Sequence, residues 1–128
     1  MLMDIALVPL NIETALAACR GDPDLARALV EQYRASLPEE RAALARAVAA
    51  ADWADVGRRA HRLQSGGAYL GAERVAATAR VLETGVLAGA APDALTAAGR
   101  ALDRAIDEFL AAPVAEWAGR LRGGADGC

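Results

Sequence analysis

The sequence predicts an all-α protein, an antiparallel up-down four-helix bundle with an additional short N-terminal helix. Three observations carry this expectation. Hydrophobic residues make up 55% of the chain but aromatics only 4%, so the core must be built from Ala, Leu and Val. Ala and Leu are the best helix formers, whereas strands favour β-branched and aromatic residues. Apolar positions recur at three- and four-residue spacing, and Gly, Pro and Asp fall where helices would start and stop. No strand candidate and no internal repeat is visible. A chain of 128 residues fits one domain and can bury a real core; we place the bundle in residues 1–112 and a tail in 113–128.

The elements follow in order. A short helix is expected from Ile12 to Arg20, closed by Gly21. Gly21-Asp22-Pro23-Asp24 then opens the second helix, with Asp22 as N-cap, Pro23 at the first helical position and Asp24 on the positive end of the dipole. Leu25, Leu29, Tyr33 and Leu37 recur every fourth residue along it. Pro38 allows two readings, a capping box at Ser36–Glu39 that opens a new helix or a kink in one long helix. The kink is preferred, because Leu44 and Val48 continue the buried face. Asp52 caps a third helix from Trp53 to about Leu70, with Gly71 placed to end it in a left-handed turn. A fourth helix runs from about Ala72 to Leu87, with Val75, Ala79, Leu82 and Val86 on one face. The fifth, Asp93 to Ala111, carries Leu95, Leu102, Ile106 and Phe109 at bundle spacing. Pro113 closes it, and Val114, Trp117 and Leu121 suggest one more amphipathic stretch.

Composition removes several classes of function. The net charge is −3 and no residue is Lys; no basic tract interleaved with aromatics points to nucleic acid. The apolar start, MLMDIALVPL, lacks a basic leader and is too short to span a bilayer, so no membrane insertion is expected. Cys19 sits in an apolar helical run and reads as a small core residue. Cys128 follows a Gly-rich stretch. Two distant cysteines give no disulfide framework and, with one His, no zinc site; no metal site is expected, and a reducing cytoplasm is the simplest compartment.

The chemistry is expected on the third helix. Trp53, Val56, Ala60, Leu63, Gly67 and Leu70 form one apolar stripe, and an advance of about 100° per residue puts His61 roughly 130° from its centre. The only histidine therefore points away from the core. Gly57, Ser65 and Ala68, all small, lie above and below it, leaving room for another protein's active site to approach. Neutral imidazole is a good nitrogen nucleophile near physiological pH. In-line phosphoryl transfer needs this clearance. Arg58 and Arg62 beside the same face suit added negative charge, and Gln64 offers an amide donor. Gly66 and Gly67 each cost about 1 kcal/mol inside a helix relative to Ala, which in so Ala-rich a chain argues for space; Gly67, on the stripe, would let a neighbouring helix pack closely.

At these residues, Ala60-His61-Arg62-Leu63-Gln64-Ser65-Gly66-Gly67-Ala68-Tyr69-Leu70-Gly71-Ala72, the chain resembles the histidine phosphotransfer (HPt) family. The likeness continues through Val75, Leu82 and Glu83. It includes the opening Gly21-Asp22-Pro23-Asp24-Leu25 with Tyr33 and Leu37, and so covers about Ile12 to Leu110. It departs at Gln64, where the family usually has Lys, and at Ser65, where it usually has Gly. The resemblance implies that His61 accepts a phosphoryl group from a receiver-domain aspartate of a hybrid sensor kinase and passes it to a response regulator's receiver. It implies no cofactor of its own, Mg²⁺ belonging to the receiver, and a monomeric carrier rather than an enzyme. The docking candidates are Gly57, Arg58, Arg62, Gln64, Ser65 and Ala68, with Leu70 or Tyr69 as apolar contributors, although Tyr69 reads rather as packed at the helix end. Arg58 is the candidate to replace the missing Lys charge. A kinase dimerisation helix does not fit, since Arg62 stands where those have Glu and no Pro follows. Two rivals remain: an adaptor that binds receivers but has lost transfer, for which Gln64 argues, and a small helical enzyme using His61 as general base, for which no carboxylate or nucleophile at a convincing spacing argues.

Overall fold

The computed structural model describes residues 7–112. Within them lie five helices and no strand: α1 (Ile12–Ala18), α2 (Pro23–Ala49), α3 (Trp53–Leu70), α4 (Glu73–Leu87) and α5 (Pro92–Leu110). The stretch around Val114, Trp117 and Leu121 and the terminal Cys128 lie outside the described residues.

The start signals act as expected. The Asp22 carboxylate accepts from the backbone N–H of Asp24 and Leu25 at 3.1 and 3.2 Å, and that of Asp52 accepts from Asp55 at 3.2 Å. Each satisfies donors that have no partner within the helix. Asn11 caps α1 in the same way. That helix stops at Ala18, short of the expected Arg20, because Arg20 and Gly21 both turn to positive φ, 55° and 82°. One helix runs unbroken through Pro38. Ser36 does not start a new one; its hydroxyl donates one turn back to the Tyr33 carbonyl at 2.7 Å.

Four helices close a ring in which α2 meets α3, α3 meets α4, α4 meets α5 and α5 meets α2; α1 lies against α2 and α3. Phe109, Leu37, Leu82, Leu102, Ile106, Val30, Val56 and Val75 are the largest fully buried side chains, each contributing about 1.5–3 kcal/mol from area removed from water. Cys19 is buried among them, 4% exposed, and no polar residue is fully buried among the described residues, Tyr33 being partly so. Leu25 corrects the sequence expectation, being 46% exposed while Ala26 and Val30 fill the core face. Strict four-residue spacing drifts about 40° per step, so three steps upstream of Leu37 the stripe has rotated out.

The glycines in α3 have a specific use. A Cβ on Gly66 would stand 2.7 Å from Tyr33 Cε1. One on Gly67 would meet the Ala72 carbonyl at 3.1 Å, the Tyr33 hydroxyl at 3.2 Å and the Ala76 nitrogen at 3.3 Å. The missing side chains admit Tyr33, whose hydroxyl donates to the Leu63 carbonyl at 2.9 Å and whose ring meets Phe109 edge-on at 5.7 Å. Burial first, and the nearby Glu40 carboxylate second, push the Tyr33 phenol well above its usual range, so it stays a neutral donor. The space at Gly66 and Gly67 is therefore internal: it locks α3 against α2 and the start of α4.

Candidate functional site

His61 stands on the outer face of α3, its side chain 61% exposed. It is not isolated. Its Nδ1 lies 2.8 Å from Oε2 of Glu83 on α4. A carboxylate can only accept, so Nδ1 carries the hydrogen and donates, which in the neutral imidazole leaves the lone pair on Nε2. Among the described residues Nε2 has no hydrogen-bond partner. The arrangement fixes both the tautomer and the ring orientation of a nucleophile reachable from solvent. At this exposure the pair is worth only about 0–1 kcal/mol of stability; its use is orientation.

The histidine opens into a groove of about 640 Å³ along the α3/α4 seam. Gly57, Arg58 and Arg62 line it beside His61, and Glu83, Val86 and Leu87 form the α4 wall. A Cβ on Gly57 would come 3.3 Å from Val86 Cγ1, so this glycine brings α4 close as well as clearing the approach. Ser65 and Ala68 are exposed on the following turns but do not line the groove. Gln64 is half-buried and also outside the groove lining. Thus the structure brings four of the expected residues together (His61, Gly57, Arg58 and Arg62) and leaves Gln64, Ser65 and Ala68 at the margin.

Arg58 does not stand free. Its guanidinium pairs with Asp55 one turn back at 3.0 Å, and Asp55 also holds Arg59 at 2.9 Å. Arg59 first and Arg58 second keep the Asp55 carboxyl below the usual carboxylate range. Leu70 is 6% exposed and belongs to the core, which corrects its expected part in docking, for it sits on the stripe that α3 buries. Tyr69 is 55% exposed with its hydroxyl tied to the Ala18 carbonyl at 3.1 Å. Three residues of the groove were not singled out from the sequence, the first being Ala54. Glu83 entered only as part of a family pattern and not as the partner of His61, and Leu87, 81% exposed, entered only as a helix end.

No helix among the described residues is long and apolar enough to cross a membrane. Searches of curated proteins and of solved structures gave no match. Residues 28–112 match the family model for the Hpt domain, and that span includes His61, Glu83 and the whole ring from the first turns of α2 onward. Covering well over half of the sequence, the match shows that the chain belongs to the Hpt domain family, the histidine phosphocarrier modules of two-component phosphorelays.

Proposed function

We propose that His61 is the phosphoacceptor and that the chain relays a phosphoryl group between two receiver domains. The carrying observation is the 2.8 Å contact of Nδ1 with Glu83, which leaves Nε2 with the lone pair at the mouth of the groove. Nε2 attacks the phosphorus of a receiver's aspartyl phosphate; the N–P bond forms as the P–O bond to the aspartate breaks and its carboxylate leaves. Positive charge developing on the ring is stabilised through Nδ1–H by Glu83. In the second step another receiver's aspartate attacks the phosphorus and His61 leaves as neutral imidazole. Mg²⁺ belongs to the receivers.

Gly57, Arg58, Arg62, Gln64, Ser65 and Ala68 form the surroundings of the phosphoryl group and the receiver-docking surface. A cytoplasmic monomer with the bundle in residues 1–112 and a tail in 113–128 fits this role. An antiparallel up-down order is supported by the neighbours across α3/α4, where Gly67 approaches Ala76, His61 meets Glu83 and Gly57 approaches Val86.

The test is incubation with a labelled phospho-receiver and Mg²⁺, with His61→Gln as control. Acid-labile, base-stable label on the wild type alone is expected. A folded wild type that binds receivers yet takes no label would make the chain an adaptor. In the same assay Arg58→Ala should slow transfer severalfold, because it removes a positive charge bordering the groove, while Gln64→Lys should be neutral or faster. An unchanged rate for Arg58→Ala would show that its charge is spent on Asp55.

A further inference from the structure

Among the described residues Leu87 is the most exposed large hydrophobic side chain, at 81%. Single exposed apolar residues are ordinary, so exposure alone assigns nothing. Its position does. Val86, the preceding residue, is the one packed against the core, so Leu87 is spare to the fold. Leu87 follows Glu83 by four residues and so shares its helix face, and it lines the groove that holds His61. The groove is thus divided by chemistry. Val86 and Leu87 supply apolar surface from α4, the small residues Ala54 and Gly57 face the same groove from α3, and Arg58 and Arg62 supply guanidinium groups from α3.

We propose that Leu87 is the apolar anchor that seats the receiver over His61, and hence a specificity-determining residue; this rests on the phosphorelay reading. A partner that presents an aspartyl phosphate is acidic at its reacting centre. Charge complementarity turns that centre toward Arg62 and the Asp55-paired Arg58, so that an apolar residue beside the partner's aspartyl phosphate would rest on Leu87. Two unlike contacts, one from each helix of the groove, hold the partner over His61 and select which partners fit. Leu87 touches no reacting atom in this arrangement; it acts through docking.

The experiment uses the full chain and a panel of receiver domains from the same genome. It measures receiver affinity by titration and transfer by single-turnover kinetics. Leu87→Ala and Leu87→Asp should both fold as the wild type does, since the side chain is in solvent. Leu87→Ala should weaken receiver affinity about tenfold, the loss typical of an interface anchor, and Leu87→Asp more. The maximal rate at saturating receiver should be unchanged. Unchanged affinity in both variants, with the wild type labelled, overturns the anchor and leaves the relay standing. Weakened affinity where even the wild type takes no label keeps the anchor and removes transfer. A wild type that binds no receiver overturns both.

Discussion

Replacing Glu83 by Ala should slow phosphoryl transfer to His61 by about 10- to 100-fold, the scale on which losing the carboxylate that orients a metal-bound histidine acts. In the wild type the carboxylate accepts from Nδ1 at 2.8 Å, which selects the tautomer with its lone pair on Nε2. Without it the ring rotates freely, the two tautomers exchange, and the charge that grows on the imidazole as the N–P bond forms meets only water. Glu83→Gln should fall between, because the amide oxygen can still accept from Nδ1–H but carries no charge. Stability should change by no more than about 1 kcal/mol, since the pair is solvent-exposed, and receiver affinity should hold. Single-turnover transfer alongside thermal melting checks this. An unchanged rate in Glu83→Ala would mean that the histidine keeps its orientation by other means, and the mechanism above would lose its central contact.

The histidine itself was legible in the sequence because helical phase depends on spacing alone. Once α3 is recognised, His61 must lie off the stripe that Val56, Ala60 and Leu63 bury. Its partner was not legible in that way, because a contact between helices depends on register. A signal was nonetheless present: His61 and Glu83 lie equally far from Ala72 on either side of the short turn at Gly71 and Ala72, so a hairpin folded there brings them level. The same turn brings Gly67 to Ala76. Gly66 shows the limit of composition. Its cost inside a helix pointed to a need for space, but only the packing shows that Tyr33, from α2, uses it. Leu70 loses its expected part in docking for a related reason, seen by comparison with Leu87. Both end helices, yet Leu70 continues the buried stripe of α3 whereas Val86 takes the seam beside Leu87. Gln64, marked out by its departure from the family pattern, lies outside the groove lining, whereas Gly57, Arg58 and Arg62 from the same face of α3 belong to it.

Because that short turn sets the register, Gly71→Ala should be among the most damaging single substitutions in the chain, at about 2–4 kcal/mol from left-handed strain plus a steric clash. Gly71 sits at φ 84°, where a Cβ crowds the neighbouring carbonyl. The added carbon would also run into the backbone carbonyl of Asn11 and stand 3.2 Å from Thr14 Cβ. No flexible side chain is there to swing away. Asn11 is itself committed: its N–H donates to the Gly71 carbonyl at 2.7 Å, its side-chain oxygen caps α1, and its side-chain amide donates to Glu73 at 2.8 Å. Moving it therefore loosens α1, the α3/α4 turn and the start of α4 together. Gly89 supplies the control. It has nearly the same conformation, φ 70°, but a Cβ there meets nothing within 4 Å, so Gly89→Ala should cost only the conformational part, about 1–2 kcal/mol. Thermal melting should then show Gly71→Ala lowered on the order of 10–20 °C, by the usual scaling for a domain of this size, and Gly89→Ala by about half as much. Equal shifts would mean that the Asn11 contact adds nothing and that backbone conformation alone requires glycine. The larger shift should also carry a functional mark. Below its melting temperature Gly71→Ala should transfer phosphoryl groups more slowly than Gly89→Ala, because only the first disturbs the register that sets Glu83 against His61.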